Sequence, residues 1–510
     1  MAAVTSARFV GRESELARLG GALDEASAGH QTSVVISGPA GVGVSRLIDE
    51  LELRLGRVAE PWTVVRSRSW APWAGRPLDG VVRPLVRLID ALPPEERERI
   101  LGAAVDLAQP DPAGRGVIEP ERRQARRLEA IHGVLSRLAA RRPVLLVLED
   151  LHCADSATRA LAAFLVRVTR PARLCVIVTY QPDDVVRDDP FRETLAAIED
   201  AARPPTRMTL LPLGRDDLAN LVADVEGERP SASLLLLVTE RSGGNPLVAG
   251  ELLAARRELS SAPLTGGFAQ IVAVRLRVRS PECRRILRLV ALAEAPLSLG
   301  EIARTSAEFD RSVVRLDPAA GVSRRRAVVG LASDLEAGID EAIEAGFLVA
   351  QRIPGEPPAI AFRHELIRMA VVADILPFQR VRYHTALAAG LDGRDGEVAR
   401  HLRAALRPDE ARAAAIRAAE VADSVDAVDD VVRELELALA LSSPPDAPPE
   451  LKARAASAVA AAGEPARATA YLEAAIAGLD ERADRNRLAI LHDQLGTLRR
   501  AAGDGVGALA

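Results

Sequence analysis

The sequence predicts an α/β domain built on a parallel sheet, followed by a remainder that is almost wholly helical. Three observations support this prediction. Short apolar runs alternate with helical stretches up to about residue 212, a glycine-rich loop follows the first run, and paired acids end a later one. Continuous apolar runs are typical of strands covered on both faces. Their alternation with helices is typical of a doubly wound α/β domain.

The strands and helices of this domain can be assigned from the apolar pattern. We expect strands at four runs: Ser33–Ser37, Trp62–Arg66, Val144–Leu148 and Leu174–Thr179. We expect helices between and after them at Arg46–Leu55, Glu119–Ala140 and Ala157–Val168. Together these elements define a core domain over residues 8–212.

The loop after the first strand is a phosphate-binding loop without its lysine. Gly38–Ser45 meets three of the four fixed positions of the pattern G-x-x-x-x-G-K-[ST], and Val44 stands where the lysine belongs. Loop N–H groups and the helix N-terminus cradle phosphates, whereas the lysine contacts the β- and γ-oxygens. Lys452 is the only lysine of the chain. Arg46 is the nearest cation, although at that spacing it should face away from the phosphates.

Six residues of this segment are therefore candidates for nucleotide binding: Gly38, Gly41, Gly43, Val44, Ser45 and Arg46. Taken alone, the loop is also compatible with an ordinary glycine-rich turn between a strand and a helix. A second motif, in the right order along the chain, favours the nucleotide site.

That second motif is a pair of acids at the end of an apolar strand. Glu149 and Asp150 follow Val144–Leu148 directly, which is the Walker B arrangement. In it, a strand-end acid holds Mg²⁺ and its neighbour polarises water. We expect Glu149 and Ser45 to hold the metal and Asp150 to orient water. The alternative is an ordinary strand end with solvated acids.

The remainder of the chain predicts three further parts. Residues 213–260 read as a helical lid. Residues 261–390 combine helices with two short strands in a winged-helix-like domain, interrupted by an irregular Ser/Arg-rich insertion near 305–328. Residues 396–510 form alanine-rich helix pairs whose period of a little over 30 residues fits tetratricopeptide (TPR)-like repeats. The chain stops shortly after a last helix opens, and we expect it to be truncated.

Composition favours a cytoplasmic protein without a nucleic-acid-binding surface charge. The chain has 66 basic and 71 acidic residues, so no global field attracts nucleic acid or an anionic membrane. Its three cysteines are scattered, which favours a reducing compartment over a disulfide framework. No apolar run approaches the roughly 20 residues of a membrane span.

Further motifs give the sequence a specific resemblance. Phe9–Glu13 and the extended acidic motif Glu149–Asp155 resemble AAA ATPase modules related to the origin-recognition proteins. Gly243–Pro246 resembles the GxP motif of STAND signalling ATPases, and Phe362–His364 resembles the segment of that class whose histidine touches the bound diphosphate. Gln181 stands where such proteins have a γ-phosphate-sensing arginine. The whole chain is similar to the N-terminal part of large LuxR-type transcriptional regulators of actinobacteria.

The resemblance implies a nucleotide-dependent switch that uses ATP or ADP and Mg²⁺. By carry-over, Val10, Gly11, Gln181, Pro246 and His364 would contribute to the nucleotide site. Because Val44 and Gln181 both remove positive charge near the γ-phosphate, we expect little or no ATP hydrolysis.

The alternative is a non-hydrolysing pseudo-ATPase scaffold that binds proteins through its helical repeats. In either case the expected partners are proteins bound by the repeats, with nucleotide-dependent self-association as a second class to test. We find no DNA-binding helix-turn-helix motif before Ala510.

Overall fold

A computed structural model describes residues 8–68, 78–102, 120–168, 171–185, 189–258, 266–316, 331–351, 358–424, 427–442, 447–480 and 484–501. The chain divides into two compact units. The first contains the described residues up to Ile302, apart from 120–122, together with 331–376. The second contains 120–122, 303–316 and the residues from Pro377 onward.

The first unit is organised by a five-stranded parallel sheet. Its strand order is β2-β3-β4-β1-β5, with these bounds: β1 Thr32–Ser37, β2 Thr63–Arg68, β3 Val144–Glu149, β4 Leu174–Tyr180 and β5 Thr206–Thr209. The first four strands lie where the apolar runs predict them. The fifth was not predicted, because only Met208 of its four residues is buried at this edge of the sheet.

Helices cover both faces of this sheet. They are α1 Glu13–Ser27, α2 Val44–Leu55, α3 Asp79–Asp90, α4 Pro94–Leu101, α5 Pro120–Arg141, α6 Ser156–Arg167 and α7 Phe191–Glu199. Alternate residues of β3 enter two different apolar clusters: Leu146 packs in one, Leu145 in the other. Since a strand points successive side chains to opposite faces, burial on both sides explains why these strands read as continuous apolar runs.

Seven described helices and a small sheet complete the first unit. The helices are α8 Arg215–Glu226, α9 Ala232–Ser242, α10 Pro246–Glu258, α11 Phe268–Arg277, α12 Pro281–Leu292 and α14 Leu331–Glu344. The sheet is antiparallel with order β6-β8-β7, formed by β6 Leu297–Ser298, β7 Leu348–Gln351 and β8 Ala359–Phe362, and α15 Glu365–Asp374 follows it. Two of these strands were predicted. The third, β6, has only two residues and gives no periodic signal.

One predicted feature of this region needs correction. The Ser/Arg-rich stretch 305–328 was expected to be irregular, but helix α13 extends over Leu299–Leu316 and includes its first half. Its apolar residues recur at helical spacing between charged ones, so composition alone obscured an amphipathic helix. Residues 317–328 lie outside the described residues.

The second unit continues as helices. They are α16 Pro377–Gly390, α17 Asp395–Ala404, α18 Pro408–Ser424, α19 Val428–Ala440, α20 Pro449–Ala461, α21 Pro465–Ile476 and α22 Arg485–Ala501. Buried alanines such as Ala415 and Ala455 let neighbouring helices approach closely. Gly463, at φ +84°, makes the turn between α20 and α21, a conformation that favours glycine. Residues 502–510, where the last predicted helix pair ends, lie outside the described residues. Within the described ranges, no helix combines the length and apolarity needed to cross a membrane.

Candidate functional site

The glycine-rich loop has the backbone shape of a phosphate cradle. It connects β1 to α2, which begins at Val44, and Gly41 and Gly43 adopt φ of +80° and +104°. These conformations are open to glycine at little cost and strained for other residues. Backbone N–H groups of a loop with this conformation, followed by a helix N-terminus, are favourable for an anion.

The lysine position is held by an apolar side chain. Val44 is half-buried and packs against the apolar cluster beneath α1 and α2. Ser45 follows it, half-buried in the first turn, and Arg46 is exposed. The cradle therefore keeps its backbone while its usual cation is absent.

The box before α1 contacts this loop. Arg12 donates hydrogen bonds to the carbonyl oxygens of Val42, at 3.3 Å, and Leu211, at 2.5 Å. Gly11 adopts φ +68°, and a Cβ there would lie 2.7 Å from the Asp217 carboxylate of α8. Val10 packs against the apolar cluster of α8–α10. The predicted residues Val10 and Gly11 thus lie between the core and the helices that follow it.

The Gly-Asn-Pro segment holds the loop from the other side. Asn245 Nδ2 donates to the Ala40 carbonyl at 2.9 Å, and Leu247 N donates to the Gly41 carbonyl at 3.4 Å. Asn245 Oδ1 also accepts from Leu247 N at 3.0 Å and so caps α10. Pro246 lies against Gly43, with its Cγ 4.0 Å from where a Cβ would stand. One short segment therefore fixes the loop and starts α10.

Glu149, the first strand-end acid, is ion-paired rather than open. It is 1% exposed, and its Oε1 accepts from Arg66 Nε at 2.5 Å while its Oε2 accepts from Arg68 at 3.2 Å. Arg66 also pairs with Asp49, at 2.7 Å, and with Glu52, at 3.3 Å, on α2. Burial alone would raise the pKa of Glu149, but the two arginines outweigh burial and lower it.

Asp150, the second acid, is held by the next strand. Its backbone adopts φ +52°, and its N–H donates to Thr179 Oγ1 at 3.0 Å. Gln181 Nε2, at the position where an arginine was expected, donates to Asp150 Oδ1 at 3.4 Å. Burial is the largest influence on the pKa of Asp150 and raises it.

His364 caps α15 in a defined orientation. Its Nδ1 accepts from Leu366 N at 3.1 Å. Burial, and then the charge of Arg363, lowers the pKa of His364 to about 4, with Arg68 contributing in the same direction. The ring is therefore neutral at pH 7. Since Nδ1 is an acceptor, the proton lies on Nε2, which is a donor.

Arg363 connects this segment to the rest of the unit through a buried ion-pair cluster. Glu251 of α10, fully buried, accepts from both Arg363 and Arg275, and Arg275 pairs in addition with Glu258 at 2.9 Å. Arg275 also lies over the Phe347 ring at 4.8 Å. The helix that begins at the Gly-Asn-Pro segment is thus bonded to the residue before His364.

Residues 8–177 match the AAA ATPase domain. The loop, the acids and the N-terminal box described above all lie within this ATPase domain, whereas Gln181, the Gly-Asn-Pro segment and His364 lie beyond the matched residues.

Comparison with whole proteins extends the similarity to the helical part. The chain is 26% identical over 482 residues to an uncharacterized protein of Rhizobium meliloti (strain 1021), covering 85% of this chain and 42% of that protein. It is similar in structure to a Signal Transduction ATPase with Numerous Domains (STAND) protein with a tetratricopeptide repeat sensor from Pyrococcus horikoshii. The TM-score is 0.54 at 13% identity, and the match covers 100% of this chain and 64% of that one. The chain therefore spans less than two thirds of either relative.

The structural likeness shows the fold: a P-loop NTPase core with a parallel sheet, followed by helices like those of a STAND ATPase with a TPR sensor. A third similar structure, Drosophila ORC bound to DNA, has a TM-score of 0.29 at 14% identity, covering 72% of this chain and 87% of that one. That score is too low to support an inference.

The ATPase domain has one feature that does not suit the metal expected for it. Both carboxylate oxygens of Glu149 accept hydrogen bonds from guanidinium groups. Two positive unit charges about 4 Å apart repel each other by about 4 kcal/mol near a protein surface. The repulsion between a guanidinium and a divalent cation at that distance is twice as large. Ser45 lies in a suitable place at the start of α2, but Glu149 as arranged is not a free Mg²⁺ ligand. The predicted pair of metal ligands, Ser45 and Glu149, does not fit this geometry.

Several site residues were not predicted from the sequence. Arg66 and Arg68 lie on β2, and their contact with Glu149 depends on the register of two parallel strands. Asn245 was predicted only as part of a motif, not as a bond to the loop. Arg12 had a usable signal, because it lies within the N-terminal box that was itself singled out.

Proposed function

We propose that this chain is a nucleotide-binding switch of the STAND type, which holds ATP or ADP and hydrolyses ATP little or not at all. The observation that supports it best is the double attachment of the phosphate loop to α10 through Asn245 and Leu247. A loop shaped for phosphate and bonded to the following helices is suited to transmit which nucleotide it holds. Bistable domain arrangements biased by phosphate contacts are a common basis of such switches.

In this proposal the binding residues act through hydrogen bonds. The N–H groups of Gly41 and Gly43 and the Ser45 hydroxyl donate to the phosphates. His364, neutral and with Nε2–H as donor, contacts the diphosphate. A neutral histidine is a weaker phosphate ligand than a cation, so its contact with a diphosphate is readily reversed, as a sensor requires.

Two substitutions disfavour hydrolysis. Val44 removes the cation that would stabilise charge on the γ-phosphate during transfer. Gln181 supplies no charge either, and its amide occupies an oxygen of Asp150. We infer that Asp150 orients water poorly and that turnover is slow or absent.

The helical unit is the proposed partner-binding part. A cavity of about 390 Å³ lies among α18, α19, α20 and α22. Its apolar lining includes Val431, Leu435 and Leu491, and Asp423 and Arg454 contribute charges. A mixed lining of this kind suits a protein segment. We place the pathway in transcriptional regulation of the LuxR type on the strength of the sequence motifs alone.

The second candidate is a non-hydrolysing pseudo-ATPase scaffold that binds proteins through its helical repeats, and its extreme form binds no nucleotide. Val44 favours it, since the loop has lost its cation. The retained glycines and Ser45 favour binding.

Isothermal titration calorimetry with ADP and ATP separates these candidates. We expect both nucleotides to bind, and we expect His364→Ala to weaken ADP by about tenfold, the loss of one strong hydrogen bond. His30→Ala, which alters an exposed histidine, is the control and should leave affinity unchanged. If neither nucleotide binds the unaltered chain, the switch fails and the scaffold stands.

A further inference from the structure

We propose that Arg68 takes the place of the divalent metal in this site, so that nucleotide binds without Mg²⁺. The inference rests on the proposed nucleotide-binding function and concerns how the phosphate charge is met. The observation behind it is that Glu149, the acid predicted to hold Mg²⁺, accepts hydrogen bonds from two arginines instead.

The arrangement is built into the sheet. Strands β2 and β3 are parallel neighbours, and their register sets Arg68 directly beside Glu149. Both residues end their strands, so their side chains lie at the carboxyl edge of the sheet, where ligands of α/β domains bind. Arg66, two residues earlier, points to the same face of the sheet as Arg68.

The two arginines have different surroundings. Arg66 pairs with Glu149, Asp49 and Glu52, which bonds β2 to the helix that follows the phosphate loop. Its positive charge is thus met by three carboxylates. Among the described contacts, Arg68 pairs with one carboxylate, that of Glu149, and its side chain is 37% exposed. Arg68 therefore keeps N–H donors that Glu149 does not use, on a side chain that is partly open to solvent. A guanidinium carries five N–H donors, and one carboxylate uses at most two of them.

The field of Arg68 reaches the residues that would surround the phosphates. Its charge contributes to lowering the pKa of His364, after burial and Arg363. It also opposes, as a minor influence, the effect by which burial raises the pKa of Asp150. Arg68 thus acts electrostatically on the proposed diphosphate contact and on the second acid, which directly follows its hydrogen-bond partner Glu149.

Charge balance indicates that Arg68 offsets part of the negative charge of the phosphates. A nucleoside di- or triphosphate brings several negative charges, which a lysine and Mg²⁺ ordinarily offset. In this chain Val44 stands in place of the lysine, and the pairing of Glu149 with two arginines disfavours Mg²⁺. Arg68 supplies a cation, and the planar fork of a guanidinium is suited to bidentate bonds with phosphate oxygens. The ligand class is therefore a nucleotide phosphate bound as the free anion.

The test is nucleotide affinity with and without metal. ADP and ATP are titrated into the full chain in excess EDTA and again in excess Mg²⁺. We expect each dissociation constant to agree within about twofold between the two conditions, and Arg68→Gln to weaken binding in EDTA by roughly tenfold to a hundredfold. Arg54→Gln is the matched control, since Arg54 makes an exposed pair with Glu50 on α2 and should leave affinity unchanged.

Glu149→Gln provides the sharpest contrast. If Arg68 is the phosphate ligand, removing its competing carboxylate leaves binding in EDTA unchanged or tighter. If Glu149 holds Mg²⁺, the same substitution abolishes a metal-dependent binding. Circular dichroism and the thermal midpoint establish that each variant is folded, and Arg68→Lys, which keeps the charge but not the fork, should retain part of the affinity.

Three results would overturn the proposal. Binding seen only with Mg²⁺ rejects metal independence but leaves the nucleotide-binding function intact. If binding does not depend on metal and Arg68→Gln binds nucleotide as tightly as Arg54→Gln does, the assignment of Arg68 is rejected. Absence of binding in both conditions rejects the nucleotide-binding function, and the inference with it.

Discussion

Gln181 Nε2 donates a hydrogen bond to Asp150 Oδ1 at 3.4 Å. The residue that replaces the expected sensor arginine thus contacts the acid that would orient water. The two positions lie at the ends of adjacent strands. In the proposed site, the glutamine at position 181 would therefore affect both the γ-phosphate and the acid beside it.

Restoring the sensor should change nucleotide preference. Gln181→Arg places a cation beside the γ-phosphate, so we expect the preference for ATP over ADP to rise by about tenfold in calorimetric titrations. Gln181→Ala is the control: it removes the bond to Asp150 without adding charge. An equal change in preference in both variants would show that the charge is irrelevant.

Restoring the loop cation should tighten ATP. Val44→Lys adds a charge-assisted contact worth about 1.5–3 kcal/mol, which corresponds to roughly tenfold to a hundredfold in affinity. Val44→Ala, which removes the same packing against the apolar cluster, corrects for lost burial. No gain in Val44→Lys over Val44→Ala would mean that the loop is not shaped to present a lysine to phosphate.

Removing the amide that holds the loop should weaken nucleotide binding beyond any general loss of stability. Asn245→Ala removes the bond to the Ala40 carbonyl and the cap of α10, and we expect a loss of about 1–2 kcal/mol in stability together with weaker ADP binding. Ser231→Ala removes the comparable cap of α9, where Ser231 accepts from Leu234 N at 3.2 Å, without touching the loop. Equal nucleotide affinity in the two variants would contradict a role for Asn245 in shaping the site.

The buried ion-pair cluster should be far more sensitive than a surface pair. Glu251→Ala leaves Arg275 and Arg363 without their shared carboxylate, and breaking a buried pair costs about 3–5 kcal/mol of unfolding free energy. Glu60→Ala, which breaks an exposed pair with Arg173, should cost no more than about 1 kcal/mol. Denaturant unfolding followed by circular dichroism measures both. Similar losses would show that the cluster contributes no more than a surface pair.

Stability should depend on the protonation of His364. Its pKa is about 4 in the folded chain against an ordinary value of 6.5. The unfolded chain therefore binds a proton first as the pH falls, and folding loses roughly 3 kcal/mol between pH 6.5 and pH 4. His364→Gln should lose less over the same interval in pH-dependent unfolding. The pKa of His384 is also lowered to about 4, so the difference between the two proteins isolates His364. Parallel pH profiles would argue against the assigned state of the ring.

Most of the core could be predicted from the sequence because its strands are buried on both faces. Four apolar runs predicted β1–β4, since residues such as Leu145 and Leu146 point to opposite faces and are both buried. Strand β5 was not predicted because it is an edge strand with one buried residue. Helix α13 was not predicted because the charged residues of its amphipathic sequence make the stretch resemble a loop in composition.

The site was predictable where chemistry is local and unpredictable where it depends on register. The loop glycines, Ser45 and the acid pair are contiguous motifs and could be read directly. The contact between Arg68 and Glu149 joins residues 81 positions apart, through a pairing of parallel strands that no local pattern specifies. Because of this contact, the observed geometry does not suit the Mg²⁺ ion that the motif predicts.

The most direct test of the central claim is to recover the nucleotide from the chain after incubation with ATP labelled on the γ-phosphate. The nucleotide that stays with the protein after gel filtration is then identified by chromatography. A site that holds nucleotide without hydrolysing it returns labelled ATP, with phosphate release no faster than in Asp150→Asn. Recovery of ADP with free labelled phosphate, abolished by Asp150→Asn, would contradict the account.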